Sequence, residues 1–338
     1  TFYNIMGPKI LITGPIMEKG LKLLQQYFEI EGNLEKSMTK KEILDSVADK
    51  VAIVTTTGTS IDKEIFDKGK NLRAVSTVSV GYDHIDLEEA TKHGVYVTHT
   101  PHVLTESTAV YAIGLMLSVF RRINEFDRYV RAGKWNKGFT ISENLSFDLQ
   151  GKVLGIIGLG RIGKRVAEIA KTFGLKIIYY DIVLPDYATS LGAEYRDLDS
   201  LLAEADIVSL HCSLNPTSYH LINEEALNKM KKTAVLINTS RGPVVDEKAL
   251  IKALKEGKIA GAGLDVFEKE PLPSDSELLK LENVVLSPHR ASSGYETRTA
   301  MSVLAANNLI SVLKGQMPPA LVNKEVLNVR PLKDIKIL

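Results

Sequence analysis

Two polar side chains in this 338-residue sequence close apolar runs where they could do chemistry together. Arg241 stands in Asn238-Thr239-Ser240-Arg241-Gly242-Pro243 after the apolar stretch 234–237, and His289 ends Asn283-Val284-Val285-Leu286-Ser287-Pro288-His289. A guanidinium grips a carboxylate through two parallel hydrogen bonds, which a lysine point charge does not. An imidazole exchanges its proton most easily near neutral pH. Between them, Asp265-Val266-Phe267-Glu268-Lys269-Glu270-Pro271 brings two glutamates, either of which can pair with an imidazolium. A cation for a carboxylate and a proton donor for a developing alkoxide are what reduction of a 2-oxo acid asks of side chains. A hydride source beside the carbonyl carbon is the third requirement.

Gly158-Leu159-Gly160-Arg161-Ile162-Gly163 offers a seat for that source. It follows the apolar strand Val153–Ile157 and opens a helical pattern over residues 161–173, so it stands in a strand-loop-helix-strand unit rather than alone. Gly158 makes the tight turn, Gly160 lets the backbone approach a pyrophosphate, and Gly163 lets the helix press on the strand. The amides of Arg161 and Ile162 then face the phosphates at a helix N-terminus. Ile162, Val166, Ile169, Ala170 and Phe173 recur at helical spacing and aim one face at the sheet. After the next strand, Asp181 supplies the acid that accepts from ribose hydroxyls. It repels a 2′-phosphate and no arginine follows it immediately, which points to NAD (as NADH) rather than NADP.

These groups need a parallel sheet with strand ends on one side. Short β-branched runs at 10–13, 51–55, 73–79 and 95–98 alternate with helical patterns, and the alternation resumes at Val153–Ile157, Lys176–Tyr180, Ile207–Leu210, 234–237, Gly261–Leu264 and Val284–Leu286. The expected fold is α/β, with two doubly wound, Rossmann-like domains. Residues 103–291 form the dinucleotide-binding domain; 1–102 and 292–338 fold together as a discontinuous substrate domain. Thr39 and Glu42 have capping-box spacing. Residues 296–313 read as a long amphipathic helix closed by Gly315, Pro318 and Pro319.

Composition narrows the partners. Forty-two Lys and Arg against 41 Asp and Glu leave a net charge of +1, with no like-charge block for nucleic acid or a membrane surface, so neither partner is expected. The apolar stretch 110–120 is too short to span a bilayer, and no secretory leader pattern opens the chain. The single cysteine, Cys212, cannot form an internal disulfide, which suits a cytoplasmic protein. His211-Cys212 invites a thiol-imidazole reading, but adjacent strand residues point to opposite faces; a small buried side chain near an adenine pocket fits better. His99 and His102 lack further ligands for tetrahedral ligation, so no metal is expected.

With these residues in place, the sequence resembles the D-isomer-specific 2-hydroxyacid dehydrogenase family from about residue 51 to residue 322. GIIGLGRIGKRVA, LINTSRGPVVDEKALIKALKEGKIAGAGLDVFEKEP and NVVLSPH look like its signature regions in order. The resemblance implies Arg241 for substrate binding, His289 as general acid and base, and Glu270 rather than Glu268 as the histidine's partner. It also implies that Asp265 holds the nicotinamide carboxamide, that backbone atoms near Thr239 and Ser240 line the cofactor, and that Thr108 lies close to it. Ser79-Val80-Gly81-Tyr82-Asp83 resembles the substrate-carboxylate loop, in which the amides of Val80 and Gly81 point at the ligand. A homodimer built on the cofactor domain is a further implication.

Within the family, His99-Thr100-Pro101-His102-Val103-Leu104-Thr105 and Glu296-Thr297-Arg298 look like the glyoxylate and hydroxypyruvate reductase branch, with D-3-phosphoglycerate dehydrogenase as the alternative. An alternative of another class is an NAD-sensing interaction protein without turnover, since a fold does not guarantee chemistry. The chain departs from the family after His289, where Arg290 and Ala291 replace an apolar residue and glycine. A second cation there either favours a doubly charged acid or disfavours the protonated imidazole, unless it turns away to a surface partner.

Overall fold

The computed structural model of the protein describes residues 7–338; the first six, for which the sequence suggests no function, lie outside the described residues. The chain divides into two compact units, Thr1–Leu104 with Ser293–Leu338, and Thr105–Ser292. Both are parallel sheets with helical crossovers.

The discontinuous unit holds β1 (Lys9–Ile12), β2 (Glu29–Gly32), β3 (Ala52–Thr55), β4 (Ala74–Thr77) and β5 (Tyr96–Thr98), ordered β2-β1-β3-β4-β5. Every residue of β3 and β4 is buried, as expected of strands covered on both faces. The helix Lys40–Ser46 begins with the capping box its spacing predicts: Thr39 accepts from the Glu42 amide, and Glu42 accepts from the Thr39 amide. The long helix Tyr295–Leu313 differs from the amphipathic expectation, because most of its C-terminal half is buried. It packs on both the sheet and the helix Glu18–Gln25, so two sides need apolar cover. The helices come close at Gly20, where a Cβ would lie 2.7 Å from the Ser302 carbonyl carbon.

The second unit carries β6 (Val153–Ile157), β7 (Lys176–Tyr180), β8 (Ala193–Tyr195), β9 (Ile207–Leu210), β10 (Val235–Asn238), β11 (Gly261–Leu264) and β12 (Val284–Leu286). Their order is β12-β11-β10-β9-β6-β7-β8. The direction of winding reverses between β6 and β9, which makes the carboxyl ends of these strands the natural crevice for a ligand. One apolar cluster fills the face formed by residues such as Leu202, Leu236 and Leu250; a second joins the helix Thr105–Phe120 to Ile156, Val166 and Ile237 on the other face.

Two strands, β2 and β8, were not among the sequence expectations. Both lie at sheet edges and are partly exposed, so Glu-Ile-Glu-Gly and Ala-Glu-Tyr carry too little apolar signal to stand out. None of the described helices is long and apolar enough to cross a membrane.

Candidate active site

The glycine loop leaves β6 with Gly158 at φ +93°, a conformation that a side chain resists. Its neighbours divide the work of the three glycines. A Cβ at Gly158 would lie 2.5 Å from the Cys212 amide nitrogen, and one at Gly163 would lie 2.2 Å from the Gly158 carbonyl oxygen. A Cβ at Gly160 would meet nothing within 4 Å. Crowding at two positions and open space at the third suit a backbone that a phosphate group approaches from outside. Gly160 caps the helix Arg161–Thr172, whose first amides carry the positive end of the helix dipole.

Asp181 follows β7. Its Oδ2 accepts from the Leu159 amide at 2.7 Å and its Oδ1 from the Val183 amide at 3.1 Å, so the ribose-binding candidate also braces the glycine loop. Tyr187 Oη donates to the Leu159 carbonyl at 2.5 Å, which closes that brace.

Beyond β10, Asn238 organises the Arg241 turn. Its buried Oδ1 accepts from the Ser240 amide at 3.0 Å, and its Nδ2 donates to the Arg241 carbonyl at 2.9 Å. Sequence reasoning assigned Asn238 no role, although asparagine two residues before a polar turn is the mark of an Asx turn. Arg241 Nη1 donates to the Ser240 carbonyl at 2.9 Å. Thr239 Oγ1 is buried and has no hydrogen-bond partner among the described residues, so it can answer a polar group of a bound cofactor. Gly242 brings the Arg241 turn onto the segment after β11: a Cβ there would lie 1.9 Å from the Phe267 carbonyl carbon, which excludes any side chain.

His289 and Glu270 meet. Nδ1 of His289 lies 2.7 Å from Glu270 Oε2, and Glu270 Oε1 accepts from the Phe267 amide at 3.1 Å. Burial pushes the Glu270 carboxyl up, but the hydrogen bond and charge of His289, the Phe267 amide and nearby Arg241 outweigh it and hold the group below the usual carboxylate range. Glu268 goes elsewhere, with Oε1 at 2.8 Å from His220 Nε2 and 3.1 Å from the Glu247 amide nitrogen.

The backbone of His289 is left-handed, φ +55°, a conformation that costs a non-glycine residue about 1–2 kcal/mol. Fully buried Asp265 sustains it. Its carbonyl accepts the His289 amide at 2.8 Å, while its carboxylate takes the Arg290 amide at 2.7 Å and the Ala291 amide at 2.8 Å. Both oxygens of the residue expected to hold the nicotinamide carboxamide thus already brace the histidine loop. The Arg290 side chain is exposed, and Thr108 is buried in the helix Thr105–Phe120.

His211 and Cys212 do not form a nucleophile and base. The ring of His211 is enclosed even though the residue keeps some surface, and burial drops its pKa to about 4. Burial pushes the Cys212 thiol up to about 11, so both groups are neutral near pH 7. Among the described residues, no group of three or more His, Cys, Asp or Glu could hold a metal ion.

The Val80–Gly81 loop belongs to the other unit and follows β4. Three of its carbonyls are taken. The Ser79 oxygen accepts from the Thr100 amide at 2.8 Å, the Val80 oxygen lies 2.9 Å from His99 Nδ1, and the Gly81 oxygen accepts from Ser79 Oγ at 2.6 Å. The amides of Val80 and Gly81 donate to no group among the described residues. Paired carbonyls beside amides without a partner leave two donors open to a ligand.

The chain is similar to known proteins over nearly its whole length. Residues 113–291 match the family model for the NAD binding domain of D-isomer specific 2-hydroxyacid dehydrogenases. A glyoxylate reductase of Korarchaeum cryptofilum is 52% identical over 96% of this chain and 99% of its own length. The solved structure of the TT0316 protein from Thermus thermophilus is 41% identical, with a TM-score of 0.86 over 93% of this chain and 99% of that one. A structure of an NADPH-dependent glyoxylate/hydroxypyruvate reductase from Sinorhizobium meliloti, in complex with NADP and malonate, is 34% identical, with a TM-score of 0.83 over 94% of this chain and 97% of that one.

Proposed function

The chain belongs to the D-isomer specific 2-hydroxyacid dehydrogenase family, and on that premise we propose that it reduces glyoxylate and hydroxypyruvate to the corresponding 2-hydroxy acids. The observation that carries the reading is the 2.7 Å pairing of His289 with Glu270, one backbone contact away from the Arg241 turn. The nicotinamide, when bound, supplies the hydride. Arg241 grips the substrate carboxylate and turns the oxo group toward His289. His289 points Nδ1 at Glu270, which leaves Nε2 to protonate the developing alkoxide. Glu270, an anion throughout the working pH range, stabilises the imidazolium and fixes its tautomer.

The other assignments rest on the glycine motif and on the family resemblance. Gly158, Gly160 and Gly163, with the amides of Arg161 and Ile162, would hold the pyrophosphate, and Asp181 the ribose. Asp265, Thr239, Ser240 and Thr108 would border the nicotinamide, and Val80 and Gly81 give amides to the carboxylate. Asp181 repels a 2′-phosphate, and Ile182, Val183 and Leu184 behind it are exposed and uncharged, so we assign NADH over NADPH. A cytoplasmic homodimer, paired through the cofactor-binding unit, completes the proposal.

The test is NADH absorbance with glyoxylate, hydroxypyruvate and 3-phosphohydroxypyruvate, repeated with NADPH. Glyoxylate and hydroxypyruvate should give the highest kcat/KM, with NADH the better donor. Tight NADH binding with none of the three reduced would replace the enzyme reading by the sensor reading.

A further inference from the structure

We propose that His99 is a positioning residue, whose imidazole aims the Gly81 amide at the substrate carboxylate. The inference rests on the reading of Val80 and Gly81 as the carboxylate loop. In a trans peptide the carbonyl of one residue and the amide of the next point in opposite directions. Pinning a carbonyl therefore aims the following N–H. The Thr100 amide pins the Ser79 carbonyl at 2.8 Å and so directs the Val80 amide; His99 Nδ1 pins the Val80 carbonyl at 2.9 Å and so directs the Gly81 amide. Of these two anchors, only the second is a side chain.

The protons can be placed. A carbonyl only accepts, so Nδ1 of His99 carries the hydrogen. On the adjoining peptide, Ser79 Oγ spends its proton on the Gly81 carbonyl, so it accepts from Thr77 Oγ1 at 2.7 Å; Thr77 in turn accepts from His84 Nε2 at 3.2 Å. The chain runs one way, and it holds the Gly81 carbonyl as His99 holds that of Val80.

His99 is itself firmly seated. Its carbonyl accepts from Nδ2 of fully buried Asn308 at 2.8 Å, and its amide donates to the Ala320 carbonyl at 3.3 Å. The Tyr82 ring meets the imidazole edge-on, with centroids 5.5 Å apart and planes at 78°. Helix and C-terminal segment thus set the backbone of His99, and the ring transmits that position to the loop.

The experiment compares His99→Leu, His99→Asn and wild type in glyoxylate reduction, and titrates oxalate, an unreactive carboxylate, against the enzyme–NADH complex. A single hydrogen bond is worth a factor of roughly 2 to 10, so His99→Leu should raise KM for glyoxylate and Kd for oxalate about five- to tenfold, with kcat within about twofold and NADH affinity kept. His99→Asn, whose amide can donate from nearly the same place, should recover most of the loss. Where His99→Leu does not fold, His99→Phe keeps the contact with Tyr82 and lacks the donor. Unchanged oxalate affinity in the folded donorless variant, or an asparagine variant as impaired as leucine, overturns the inference. A wild-type enzyme inert toward glyoxylate, whose oxalate affinity still falls on substitution, would overturn the proposed reaction and leave the role of His99 standing.

Discussion

At the scale of single residues, the proposed division of two tasks among three side chains can be tested by kinetics. Arg241→Lys exchanges a fork for a point contact, so KM for the 2-oxo acid should rise by an order of magnitude or more while NADH affinity holds. His289→Asn removes the proton donor and should lower kcat by about 10²- to 10⁴-fold with NADH affinity again spared. Unchanged kinetics in either variant would remove that residue from the mechanism. Glu270 adds a pH signature. Its carboxyl titrates below its ordinary value of 4.5, so its contribution to stability is present in full above pH 4.5 and lost as the pH falls through the depressed folded value. Glu270→Gln should therefore flatten the acid side of the stability curve. In reduction it should also lower kcat, because the imidazole loses the carboxylate that fixes its tautomer. An unchanged kcat would remove Glu270 from the mechanism. Arg241 and His289 were legible as types at strand ends and Glu270 as one of two acids between them, and the choice between Glu268 and Glu270 needed the family resemblance. Geometry supplies the physical reason for that choice, since the carboxylate of Glu268 is engaged by His220 and the Glu247 amide.

At the scale of elements, the glycine loop makes a test that distinguishes folding from binding. Gly163→Ala forces a methyl to 2.2 Å from a backbone oxygen, a clash that only movement of helix against strand relieves. Overpacking of this kind costs about 1–3 kcal/mol, so the melting temperature should fall by several degrees and NADH affinity with it. Gly160→Ala puts its methyl into open space. The melting temperature should stay within about a degree while NADH binding, followed by fluorescence, weakens tenfold or more. Loss of stability at Gly160, or undiminished NADH affinity there, would contradict the pyrophosphate assignment. The sequence announced this loop because all three glycines carry separate physical demands at fixed spacing. It announced the buried strands equally well, through runs such as Ala52–Thr55 in which every side chain is covered. Less legible were features set by tertiary context: the edge strand Glu29–Gly32, the two-sided burial of Tyr295–Leu313, and the pairing of His99 with a carbonyl 19 residues away. Local pattern reports what a residue is, and only the sheet reports what lies beside it.

At the scale of the whole molecule, surface composition argues for self-association. Between the helix Ile123–Arg131 and β6 lies a long segment without helix or strand, and in and around it Val130, Trp135, Phe139, Ile141 and Leu145 stand exposed, Phe139 at 91% and Ile141 at 85%. A loop of this length is unusual in a compact domain unless it has work to do. A cluster of large apolar side chains costs about 25 cal/mol for each Å² left in water, a penalty that a second copy removes. A net charge of +1 sets no electrostatic barrier against that pairing, and a two-fold arrangement would cover the same patch on both copies at once. Sedimentation at micromolar concentration should therefore give a dimer. Replacing Phe139 and Ile141 together by aspartate should yield a folded monomer, because neither side chain belongs to either apolar cluster of this unit. The paired form should also show a melting temperature that rises with protein concentration, and the double variant should not. A wild-type chain that sediments as a monomer throughout that range would mean the exposed aromatic segment has some other occupant.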